Sequence, residues 1–170
     1  MGWDQLGAIA ETVGAIGVIA TLVYLAVQIK QNTNQLRGEA ITALNNAQVA
    51  VIQKFHDRQV VGAFIKCASD WDAGSAPEQM DTHALILSYT LTFETAFNLW
   101  RSGSLSDRIY ENRENLIVSA LRPPGIRAWW KLRSELFDPE FVERINRKLD
   151  SEGAPDVVER LSFMDPKKWE

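Results

Sequence analysis

The stretch Thr12–Ile29 reads TVGAIGVIATLVYLAVQI and contains no charged side chain. Carried back to Leu6, it becomes a 24-residue segment interrupted only by Glu11. A helix rises about 1.5 Å per residue, so this length crosses a hydrocarbon core of roughly 30 Å with some tilt. A lone segment in lipid must satisfy its own backbone N–H and C=O groups, and a helix does so. The spacing therefore predicts a transmembrane anchor over residues 1–30.

Three competing explanations fit less well. A cleaved signal peptide opens with basic residues, but the first eleven positions hold no Lys or Arg and do hold Asp4 and Glu11. A core helix of a soluble protein shows a polar face, and only Thr12, Thr21 and Gln28 are clearly polar here. A helix lying flat on the membrane needs a charged face, which is missing. No Lys or Arg precedes the span, whereas Lys30, Arg37, Lys54, Arg58 and Lys66 follow it. The positive-inside rule then puts the N-terminus outside and the rest of the chain in the cytoplasm. Trp3 suits the outer interface, and Tyr24 sits slightly deep for the inner one.

Beyond the anchor, Leu36, Ala40, Ala43, Leu44, Ala47, Val51 and Phe55 recur at spacings of three and four. That period predicts a long amphipathic helix over residues 31–68, or two nearly collinear ones, with Val60–Ala68 as a short further helix. A loop follows at residues 70–77. Ser75 and Glu78, with Pro77 between them, form a capping-box start. The helix it opens runs to about Ser102, where Gly103 stops it. Ser106 and Asp107 open the next helix, which ends near Leu121. Further helices are predicted at Ile126–Phe137, from Asp138 to Leu149, and at Asp156–Phe163. No stretch alternates with period two. The fold class is all-α: a transmembrane helix (1–30), a long amphipathic helix (31–68) and a small helical-bundle domain (75–170).

Within the anchor, Gly7, Ala10, Gly14, Gly17 and Thr21 form a stripe of small residues at spacings of three and four. Such a stripe lets backbones approach closely in lipid, so it is a candidate oligomer interface, although glycine is common in transmembrane helices anyway. The register continues through Tyr24, Gln28, Gln31 and Gln35. This polar continuation is the solvated side of an amphipathic helix or, alternatively, a pore seam around a hydrated axis. Glu11 is the only ionisable group in the span. It either snorkels to the nearby interface or forms an intramembrane carboxylate site.

The 170 residues are 46% hydrophobic and 24% charged, with a formal charge of −4. These values suit a folded chain and give no general attraction to nucleic acid. The lone Cys67 excludes an internal disulfide. Catalytic motifs such as HExxH, GxSxG, the phosphate loop and GxGxxG are missing, so neither an enzyme nor a cofactor is expected. His56-Asp57 with Cys67 is read as chance co-occurrence. Asp70 and Asp72 lack the other ligands of a calcium loop. Arg127-Ala-Trp129-Trp130-Lys131 reads as a core helix, with Trp130 inside and Arg and Lys stems covering Trp129.

The segment Leu22-Val-Tyr-Leu-Ala-Val-Gln-Ile-Lys-Gln-Asn-Thr33 resembles the anchor end of a proteobacterial-type family of short all-helical proteins. Gly103…Ser106-Asp107, Pro124-Gly125, Trp129-Trp130 and Phe137-Asp-Pro-Glu-Phe141 resemble that family too. The resemblance implies an inner-membrane location and a helical domain, and supplies no catalytic or binding residue. The function expected is that of a single-pass inner-membrane structural or interaction protein, in contact with the lipid bilayer and self-associating or joining a larger membrane complex. The alternatives are a pore-forming homo-oligomer and a ligand-sensing helical domain.

Overall fold

The computed structural model describes residues 2–151, with side chains at 2–3 and 11–151. The helix expected at Asp156–Phe163 lies outside the described residues. The described chain is all-α, without a strand. Six α-helices follow one another: α1 (Trp3–Gln53), α2 (Arg58–Ser69), α3 (Ala76–Arg101), α4 (Asp107–Leu121), α5 (Pro124–Arg133) and α6 (Pro139–Asp150). The described residues up to Ala40 form one compact unit, and those from Ile41 onward another.

The first unit is the N-terminal part of α1. The whole helix has 51 residues. Every residue from Glu11 to Glu39 is exposed. Leu36, expected on a buried face, is 65% exposed.

The second unit begins at Ile41 on the same helix. Leu44 and Val51 enter its core, with Ile41 and Phe55 packed against it, while Ala43 and Ala47 stay exposed. Of the alternatives for residues 31–68, the chain has two helices, α1 to Gln53 and α2, which covers the short helix expected at Val60–Ala68. After Gln53 the chain tightens into a 3-10 turn, and Asp57 adopts an extended backbone (φ −82°, ψ 116°). The Asp57 carboxylate accepts the Gln59 N–H at 2.8 Å and starts α2 as an N-cap.

Local chemistry sets the other boundaries. The Ser75 N–H donates to Glu78 Oε2 at 2.7 Å, and Ser75 Oγ donates to the same oxygen. At the far end of α3, Gly103 takes φ +69°, a left-handed conformation that costs glycine little. The Ser104 N–H then reaches Leu99 O at 2.8 Å and the Gly103 N–H reaches Trp100 O at 2.9 Å, a Schellman closure. Helix α5 starts at Pro124 and stops at Arg133, short of the expected Phe137, because Ser134–Leu136 form a 3-10 turn. In α6, Asp138 Oδ1 caps the Glu140 and Phe141 N–H groups.

Helix α2 packs on α3 and α5, α3 on α4, and α4 on α5 and α6. The core is rich in rings. Phe97 lies 5.6 Å from Phe141 between centroids, and Trp130 stacks on Phe137 at 5.4 Å. Helix α6 buries Phe141, Ile145 and Leu149, four residues apart, and each such side chain contributes roughly 1.5–3 kcal/mol. Trp129, expected under Arg and Lys stems, is instead in the core beside Trp130 (2% and 1% exposed). Its indole N–H finds a partner there, donating to His83 Nδ1 at 2.9 Å, which removes the usual penalty for burying tryptophan.

Glu78 also joins two helices. Its Oε2 meets Lys66 Nζ of α2 at 2.8 Å. The Lys66 hydrogen bond, and then Ser75, hold the carboxyl at about 2, against an ordinary 4.5. A depressed folded value stabilises the fold above the unfolded value, and that contribution disappears as pH falls toward about 2. The stability advantage of the wild type over Glu78→Gln is expected to be constant above about pH 5 and to shrink steadily below it. Thermal unfolding of both chains across that range checks this. A gap that does not change with pH would contradict it.

Candidate functional site

On α1 the apolar surface is uncovered. Val13 is 63% exposed, Ile19 61% and Leu22 60%. A side chain in the core of a soluble fold would be near zero, so none of the described residues covers this segment. Among the described residues, this N-terminal helix is the one long and apolar enough to cross a membrane. By length and composition a signal sequence passes the same test.

The expected small-residue stripe lies on this helix. Gly7 and Ala10 are in α1, outside the described side chains. Added methyl groups at Gly14 and Gly17 would meet nothing within 4 Å. Their surfaces are therefore free to receive another backbone. Thr21 Oγ1 donates to Gly17 O at 2.9 Å, inside the helix. Glu11 is exposed on the same helix.

The polar continuation is partly satisfied from within. Gln28 Nε2 donates to the Tyr24 hydroxyl at 3.0 Å, one turn away. Gln31 and Gln35 are exposed. Further along, the same register meets the second unit's own packing. Arg113 of α4 donates to Asn45 Oδ1 at 2.6 Å and to Gln48 Oε1. Burial pushes the Arg113 guanidinium below its ordinary value. Asn45 is thus occupied within the chain.

Two features of residues 41–151 were not singled out in the sequence. The first is a buried carboxylate. Glu114 of α4 is 1% exposed. It pairs with the Arg144 guanidinium and with Lys148 Nζ at 2.6 Å, both from α6. The Arg144 guanidinium lies over the Trp100 ring at 4.6 Å, and Trp100 stacks on Tyr110 at 4.7 Å. The Glu114 hydrogen bond raises Arg144. Burial, and then the Glu114 charge, push the Tyr110 hydroxyl well up. The arrangement clamps α4 to α6. Its signal was in the sequence: Tyr110, Glu114, Ile117 and Leu121 share one helical stripe, so a carboxylate occupies a core position.

The second is a partly open cavity of about 420 Å³, with Val51, Lys54, Val60, Asp81, Leu85 and Ser88 in its lining. It lies where the end of α1 meets α2 and α3.

His56 and Cys67 are in different surroundings. Cys67 is fully buried, while His56 is exposed with Nδ1 3.1 Å from Gln53 O. Asp70 Oδ1 accepts the Asp72 N–H at 3.1 Å, which accounts for this pair as a turn cap. Arg127 pairs with Asp150 at 2.8 Å. Compared with protein-family models, curated proteins and solved structures, the chain matches none.

Proposed function

We propose that the chain is a single-pass inner-membrane structural or interaction protein that self-associates through Gly7, Ala10, Gly14, Gly17 and Thr21. Its N-terminus faces outward and the helical domain is cytoplasmic. One observation carries this reading. A bilayer-length run of apolar side chains stays exposed in a chain that elsewhere buries two tryptophans, a tyrosine and several phenylalanines. Exposed apolar surface of that extent marks a membrane or protein contact. The Lys and Arg residues that follow the span support the orientation.

The helix ends its own polar requirements at Thr21 and at the Tyr24–Gln28 pair. That supports a closely packed seam over one that needs water along its length. A ligand-sensing domain is the second reading, supported by the cavity among residues 41–151.

The chain is expected to sediment with membranes and to resist carbonate extraction. In mild detergent, Gly14→Ile with Gly17→Ile is expected to weaken self-association by about tenfold or more, near 1.4 kcal/mol. Analytical ultracentrifugation reads the change. Release of the wild type into carbonate would end the anchor, and a monomeric wild type would end the self-association.

A further inference from the structure

We propose that the cavity between the end of α1, α2 and α3 binds a small zwitterion with an apolar body, of the chemical class of an apolar amino acid. The proposal goes beyond membrane anchoring and self-association and holds or fails independently of them.

Size comes first. A volume of about 420 Å³ is within the range of roughly 300–1,000 Å³ usual for small-molecule sites. Water occupies about 30 Å³ per molecule in the liquid, so a ligand there displaces on the order of ten waters. Apolar contact comes from Val51, Val60 and Leu85, with Ser88 as a hydroxyl at the wall. The Ser88 hydroxyl donates to Ala84 O at 2.7 Å, which leaves its lone pairs available as acceptors.

Charge then selects the ligand. Lys54 reaches the cavity from the turn after α1, and Asp81 from α3. Among the described residues neither side chain takes part in an ion pair, although Lys66, Arg101, Arg127, Arg144, Arg147 and Lys148 all do. Two opposite charges therefore stand at one mostly apolar hollow without neutralising each other. A ligand that buries them must supply a partner to each, because a desolvated charge without a partner is costly. A carboxylate meets Lys54 and an ammonium meets Asp81, while the apolar body covers Val51, Val60 and Leu85. An anion alone leaves Asp81 unmatched, and an amine alone leaves Lys54 unmatched.

The test uses the full chain in lipid nanodiscs, with four probes that share one ring. These are phenylalanine, 3-phenylpropionate, phenethylamine and 2-phenylethanol. The methyl signals of Ala50 and Ala84, both in the lining, report occupancy by NMR. Phenylalanine is expected to saturate these shifts at least about tenfold more tightly than any other probe. Asp81→Asn is expected to erase its advantage over 3-phenylpropionate, and Lys54→Gln its advantage over phenethylamine. Both side chains lie at the surface, and unchanged melting of each variant confirms intact folding. The proposal is overturned by no saturable shift up to about 10 mM, by binding that ignores both substitutions, or by a preference confined to a single charge. Carbonate extraction and sedimentation read the membrane proposal separately, so the two can fail independently.

Discussion

Gly125→Ala is expected to be among the most damaging single substitutions in the helical domain. Gly125 lies in the first turn of α5, where that helix meets α2. A methyl group there would overlap the Cys67 carbonyl oxygen and stand 2.7 Å from the Trp71 backbone N. Both obstacles are main chain, so no side-chain rotation relieves the overlap. Alanine normally helps a helix by up to about 1 kcal/mol relative to glycine. Here that gain is outweighed, since overpacking costs about 1–3 kcal/mol even where side chains can yield. A net loss of about 3 kcal/mol or more is expected, read by denaturant unfolding of the full chain in detergent. A stability equal to or above wild type would show that α2 and α5 are not in such close approach.

Breaking the Glu114 clamp has the second large effect, and the order of the variants is informative. The Glu114 side chain is fully buried, while Arg144 and Lys148 are 30% and 35% exposed. If Glu114 is lost, both cations can turn toward water. If Arg144 is lost, a carboxylate stays buried with Lys148 alone. Removing one partner of a buried pair costs about 3–5 kcal/mol. Arg144→Met is expected near 3, because Lys148 remains. Glu114→Gln is expected at about 1–3 kcal/mol, since the amide oxygen still accepts a hydrogen bond. The same unfolding experiment ranks them. Should Glu114→Gln prove the costlier, the carboxylate is not the group whose burial governs this contact.

The all-α fold was legible because helix period and end chemistry agree at nearly every element. Ser75 with Glu78, Gly103, Ser106 with Asp107, and Asp138-Pro139 each marked a boundary that the structure places within a residue or two. A short helix was expected from Val60, but Asp57 was not read as the residue that opens it. Neither glycine nor proline stands there, and a single carboxylate capping Gln59 ends the continuity. Trp129 was misjudged because neighbouring Arg127 and Lys131 make the segment look amphiphilic. Only the tertiary arrangement brings His83 to its N–H. The stripe on α1 could be listed from spacing alone. The cavity could not, because Lys54 and Asp81 are brought together by packing, without any shared local pattern.

Cys67 is the only thiol in the chain, and it is fully enclosed, its sulfur pressed close to Gly74. A bulky maleimide reaches such a sulfur only while the surrounding helices part. Its labelling rate is therefore a built-in clock for domain breathing, running without any engineered probe. The same inertness keeps the native protein silent toward thiol reagents on short timescales. A cysteine placed on the exposed apolar helix could then carry a dye or spin label against almost no background.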